Sequence, residues 1–137
     1  MKKLFFVTVM VAVGMIATAC GPSTSDYQQA ASSTLESFMR AYNVAANTPR
    51  LGLAVPILSM EESRQEWDRM EVPGCAQTGH LSVSQAMDKY INAFLAFAAQ
   101  EEDDVVNTFF TSGDLSLAEG QESIAETCGF SDGSVWG

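Results

Sequence analysis

His80 is the only histidine in the chain. An imidazole titrates close enough to neutral pH to serve as a general base or a metal ligand. It stands in "CAQTGHLS", which reads as a loop just ahead of a helix. Zinc sites gather several His and Cys ligands. The cysteines flanking this region, Cys75 and Cys128, read instead as partners of each other, so no metal is expected. Glu101-Glu102-Asp103-Asp104 is the second concentration of candidate ligands. Calcium loops alternate their ligands and turn the backbone on a glycine, whereas four consecutive acids on a helix point in different directions. A solvated turn, or the acidic first turn of a restarting helix, is the reading here. No G-x-S-x-G, phosphate loop, dinucleotide fingerprint or H-E-x-x-H motif occurs. No catalytic residue and no cofactor is therefore expected, and an enzyme would have to centre on His80 with a partner that nothing in the sequence marks.

The elements that position these residues read as helices. Ser or Thr followed three residues later by Glu or Gln is a capping box, which satisfies free amides at a helix start. The pattern recurs at Ser25/Gln28, Ser59/Glu62, Ser82/Gln85 and Ser116/Glu119. The first helix is predicted from about Asp26 to Ala46, with Tyr27, Ala31, Leu35, Phe38, Tyr42 and Ala45 on one stripe. Arg50 to Leu58 reads as an apolar connector, and a short second helix as about Met60 to Glu71, with Met60, Trp67 and Met70 inward. The third carries a wide apolar face from Val83 to Ala98, and either continues to Phe110 or bends and restarts near Glu101. Thr111-Ser112-Gly113-Asp114 reads as a break before a fourth helix from about Leu117 to Thr127. Trp67, Tyr90, Phe94, Phe97, Phe109 and Phe110 read as core, with a lipid-like pocket as the competing use. No stretch alternates with period two, so the expectation is an all-α antiparallel bundle of about four helices in one domain, residues 26–130. Residues 131–137 read as a tail whose Trp136 tucks onto the body.

Cysteine arithmetic leads to the compartment. Three are present, Cys20, Cys75 and Cys128. Lys2 and Lys3, the apolar run Leu4 to Ile16 and the small residues Ala17-Thr18-Ala19 form a tripartite secretory signal over residues 1–19. Ala17-Thr18-Ala19-Cys20 resembles the lipobox of bacterial lipoproteins, although Leu is usual where Ala17 stands. The resemblance implies cleavage before Cys20 and attachment of diacylglycerol to its thiol, with acyl chains such as palmitate as the membrane anchor. It implies an extracytoplasmic location. Gly21 in place of the Asp that retains such proteins at the inner membrane makes the outer membrane the default in a diderm host. An acylated Cys20 leaves Cys75 and Cys128 to form a disulfide. The competing idea, a pair of reactive thiols, lacks a Cys-x-x-Cys motif. Residues 20–25 read as the lipidated cysteine and a short tether. From Trp67 through "VPGCAQTGHLSVSQAMDKYINAFLAFAAQEEDD" the body resembles small helical extracytoplasmic lipoproteins of unknown function, a resemblance that brings no site residue with it.

Composition narrows the partners. The full chain carries a net charge of −10, and without the two lysines of the leader about −12. That balance argues against nucleic acid, whose phosphates demand Lys and Arg. The expected function is partner binding in the cell envelope by a lipid-anchored helical protein, with an envelope or extracellular protein as partner. The alternative is a small-ligand or lipid-binding module with a cavity between aromatic helices, ahead of an enzyme centred on His80.

Overall fold

A computed structural model describes residues 21–130, so that residues 1–20, on which the signal and lipidation readings fall, and residues 131–137 with Trp136 lie outside the described residues. Within them the chain is all-helical: α1 Thr24–Ala46, α2 Ala54–Asp68, α3 Gln77–Ala98 and α4 Asp103–Cys128, with short 3-10 turns at Arg50–Gly52 and Gly74–Ala76. Side-chain pairs fix the directions. Tyr27 meets His80 at one end and Tyr42 meets Phe94 at the other, so α1 and α3 run parallel. Trp67 meets His80, and a carbon placed on Gly79 would meet Ile124, so α2 and α4 run against them. The bundle is antiparallel, as its sequence pattern predicts.

Helix α1 starts two residues earlier than expected. Ser23, not Ser25, is the cap, and its hydroxyl accepts the Asp26 N–H at 3.1 Å. Among the described residues, 21–23 precede the helix, a span of about 10 Å when extended. The predicted stripe is the buried one, with Tyr27, Ala31, Leu35, Phe38 and Ala45 in the core.

The connector expected from Arg50 to Leu58 is mostly helix. Leu53, Ile57 and Met60 are buried at the spacing of one helical face, while Leu51, Val55 and Leu58 are exposed. Pro56 sits in the first turn, where an amide is not needed for the helix ladder. Ser59 is consequently an interior residue whose hydroxyl donates back to the Val55 carbonyl at 3.3 Å. The helix stops at Asp68, short of Glu71.

Helix α3 begins at Gln77, five residues before the expected cap. Ser82 lies inside it, donating to the Thr78 carbonyl, and His80 is on the helix and not in a loop. The helix has no side-chain cap. Its start is held from a distance: Cys75 is disulfide-bonded to Cys128 with 5.2 Å between their Cα atoms, and the Thr127 hydroxyl donates to the Cys75 carbonyl.

Between α3 and α4 the chain reverses at once. The Gln100 N–H donates to the Phe97 carbonyl and the Glu101 N–H to that of Ala96, with Gln100 at φ 64°. This is the Schellman closure, with a glutamine in the left-handed position that glycine commonly fills. The acidic run lies exposed in this turn and in the first turn of α4, where carboxylates complement the helix dipole.

The break expected at residues 111–114 is absent: α4 runs through it to Cys128. Gly113, Ser116, Gly120 and Ile124 form one buried stripe of α4, and small residues there let it lie close against α3. A carbon added at Gly120 would stand 2.7 Å from Val83 Cγ2 and 2.8 Å from the Gly79 carbonyl oxygen. At Gly113 it would stand 2.9 Å from the Tyr90 ring. Gly120→Ala is expected to lower stability by about 2 kcal/mol, since displacing a packed backbone outweighs the gain of about 1 kcal/mol in helix propensity. Urea denaturation followed by far-UV circular dichroism checks this, with exposed Ala118→Gly as the reference for propensity alone.

Candidate functional site

Two places in the bundle gather polar or aromatic groups: the end where the chain enters α1, and the opposite end.

At the entry end His80 is buried, with 7 % of its surface exposed. Its ring stacks on Trp67, centroids 4.6 Å apart and planes 10° from parallel. Its Nδ1 is hydrogen-bonded to the Tyr27 hydroxyl at 3.1 Å. Trp67 is fully buried and donates its indole N–H to the His80 carbonyl at 3.1 Å. One histidine thus ties α1, α2 and α3 together. Ser84, one turn further along α3, donates to Asp68 at 3.4 Å, so its hydroxyl is engaged by a carboxylate and not by the imidazole. Arg64 reaches from α2 to α3, placing Nε 2.8 Å from Asp88 Oδ1 and a terminal nitrogen 3.0 Å from Oδ2; it also pairs with Asp68. Among the described residues no group of three His, Cys, Asp or Glu side chains is placed to hold a metal ion. The acidic run stays apart from His80, at the far end of α3.

Burial holds the His80 imidazole below its ordinary pKa, and the Arg64 charge adds to this, while Asp68 and the Trp67 backbone oppose it. Burial also pushes the Tyr27 phenol up. The neutral imidazole is favoured in the fold, so the unfolded chain takes up the proton first on acidification. The His80 contribution is complete above the ordinary imidazole pKa of about 6.5 and is lost as pH falls from there through the lower pKa that the fold imposes. The expected result is that wild type loses denaturation midpoint relative to His80→Gln between pH 7.5 and pH 5.5. The difference between the two proteins removes the background of the many carboxylates.

At the opposite end the aromatic core opens to the surface. Tyr42 packs edge-on against Tyr90, Phe94 and Phe110, centroids 5.1, 5.4 and 6.1 Å away. The Tyr90 hydroxyl donates to Asp114 at 2.6 Å, and Lys89 bridges to the Ser112 carbonyl and the Ser116 hydroxyl of α4. Beyond this layer lies an open cleft of about 350 Å³ lined by Tyr42, Ala45, Thr48, Phe94, Phe97, Val106 and Phe110. Phe97 forms its rim with 36 % of its surface exposed, so it is not the core residue its spacing suggests. Arg50, from the turn after α1, lays its guanidinium 4.6 Å from the centre of that ring. Around the α1–α2 junction Val44, Leu51, Val55 and Leu58 are also exposed.

No family model, curated protein or solved structure matches this chain. The functional reading therefore rests on the chain's own residues. Of the residues singled out by sequence, the structure joins Cys75 to Cys128 and packs His80 on Trp67, while Cys20 lies outside the described residues. Sequence reading missed the pairing of Arg50 with Phe97, whereas the pocket it offered as the alternative use of the aromatics shares Phe94, Phe97 and Phe110 with this cleft. The available signal was that Phe97 and the Arg50 turn each close a helix at the same end of an antiparallel bundle.

Proposed function

We propose that this is a lipid-anchored extracytoplasmic protein that acts by binding a protein partner in the cell envelope, with the acyl group on Cys20 and the body presenting its far end. One observation carries the reading most. The exposed apolar side chains Val44, Leu51, Val55, Leu58 and Phe97 cluster about the C-terminal end of α1, one helix length from the point where the chain enters. For α1 that length is about 34 Å. An anchor at one end and an apolar surface at the other suit a protein held at a membrane and read from its outer side. The Cys75–Cys128 disulfide supports an oxidising compartment. No helix among the described residues is long and apolar enough to cross a membrane, so attachment under this reading rests on the lipid.

The alternative, a small-ligand module, draws on the far-end cleft, whose volume lies at the lower edge of the range for small-molecule sites. The openness of the cleft to solvent between α1, α3 and α4 favours a protein segment over an enclosed ligand.

Cys20→Ser is expected to move the protein from the membrane fraction to the soluble fraction, or to block maturation, and to remove the acyl mass from the N-terminal peptide. Unchanged retention and an unmodified thiol in the wild-type peptide would overturn the anchor. Crosslinking in intact cells that recovers no specific protein would overturn the partner.

A further inference from the structure

We infer that the far-end cleft docks a cationic amphipathic helix of the partner protein, its apolar face on Phe97, Phe110 and Val106 and its basic residues against the acidic turn before α4. The inference rests on the partner-binding reading and specifies the chemistry of the partner.

Two features of the cleft define the occupant. The first is its lining. Tyr42, Phe94, Phe97 and Phe110 give an aromatic floor and rim, and Val106 and Ala45 the walls. The cleft is open to solvent, which admits the apolar stripe of a helix laid against it. The second is the charge around it. Asp103, Val106 and Phe110 are spaced i, i+3, i+7 and therefore share one face of α4. The carboxylate of Asp103 thus continues the line of the two apolar residues that form the cleft wall. Glu101 and Glu102 immediately precede it, exposed, while Asp104 lies on another face of α4, beside Asn107, Thr108 and Leu115. Against Glu101, Glu102 and Asp103 the two turns closing this end, residues 47–53 and 99–104, offer a single cation, Arg50.

Arg50 itself indicates how a cation is received. Its guanidinium rests on the face of Phe97. The rim aromatic thus already holds a positive group, so its ring face receives a cation while the acidic turn lies nearby. An acidic helix would meet Asp103 and the two glutamates before it, so its exclusion follows from the same charge pattern. A second apolar groove, between α1 and α2 and lined by Ala41, Val44, Val55 and Pro56, has at its edge Arg40 paired with Glu36, so its charge is balanced there.

The test uses the full chain as purified and two dye-labelled 18-residue amphipathic peptides that share Leu and Phe on one face. One carries Lys on its polar face and the other Glu. Anisotropy titrations are expected to show saturable binding of the Lys peptide, at least tenfold tighter than the Glu peptide and weakening with salt. Phe97→Ala, and the combined Glu101→Gln, Glu102→Gln, Asp103→Asn and Asp104→Asn variant, are each expected to weaken it at least fivefold. Leu81→Ser, at an exposed residue of the entry end, should leave it unchanged. Circular dichroism melts verify that each variant is folded. Equal binding of the two peptides, or binding indifferent to Phe97→Ala and to the neutralised turn, would overturn the inference. So would Phe97-dependent binding of a fluorescent fatty acid with no binding of either peptide. A photocrosslinking amino acid placed in cells at 97, 55 or 81 separates the two levels. Protein adducts at 55 or 81 but not at 97 would overturn the cleft and leave partner binding standing. No adduct at any of the three would remove both.

Discussion

Trp67→Ala is expected to lower the stability of the body by about 4 kcal/mol, the largest loss from any single side chain here. The indole is fully buried, stacks on His80 and donates to the backbone of α3. Truncation removes the apolar contact between α2 and α3 and leaves a cavity beneath Tyr27, because α1 is held by its own contacts and cannot collapse inward. Trp67→Phe should cost roughly half as much, since it keeps an aromatic surface and loses the hydrogen bond and part of the volume. Urea denaturation at pH 7.5 measures both. A loss under 1.5 kcal/mol for the alanine variant would mean that the cluster around His80 is loosely packed.

Removal of the disulfide ranks next. Cys75 and Cys128 enclose a segment that contains α3 and α4 almost entirely, with a sequence separation of 53. Closing a loop of that size restricts the unfolded chain by about 4 kcal/mol in the chain-entropy account. The Cys75→Ala, Cys128→Ala double variant is therefore expected to lose about 3 to 4 kcal/mol, and wild type in a strong reductant should match it. The comparison of reduced wild type with the double variant isolates the cross-link from any packing change at the two side chains. The start of α3 should show the loss first in amide exchange, because that helix has no side-chain cap and depends on the cross-link and on Thr127.

How much of this was legible in the sequence depended on whether an element's cause was local. Helix α1 was legible because its stripe is continuous and apolar, from Tyr27 to Ala45. The pairing of the cysteines followed from counting them in a chain read as exported. The errors have a common origin in packing between helices. Gly113 and Ser116 look like a turn followed by a cap, since small polar residues favour loops when nothing packs on them. Here they are the face on which α4 approaches α3, and tertiary contact overrides propensity. Helix α3 begins at Gln77 with no local signal because its start is fixed by residues about fifty positions away. Ser59 and Ser82 resembled caps, yet each hydroxyl bonds the carbonyl four residues back inside a helix. Of the candidate site, the acidic run and the aromatics Phe94, Phe97 and Phe110 were each visible, but their meeting with Tyr42 and Arg50 in one cleft was not. The cleft arises only where the C-terminal ends of α1 and α3 meet the start of α4, which no sequence window spans.

The enclosed segment has one mechanical consequence. The sulfur bridge makes a closed covalent ring of α3 and α4, and α1 and α2 lie outside it. A tug on the protein from its N-terminal side enters through α1, whose grip on the ring is noncovalent: Tyr27 on His80 below, Tyr42 among the aromatics above. Under load the first hairpin is therefore the part that peels, and the ring is the part that endures. A wall or membrane that shifts relative to a bound neighbour would strip α1 before it unravelled the rest, and the ring would guide its return.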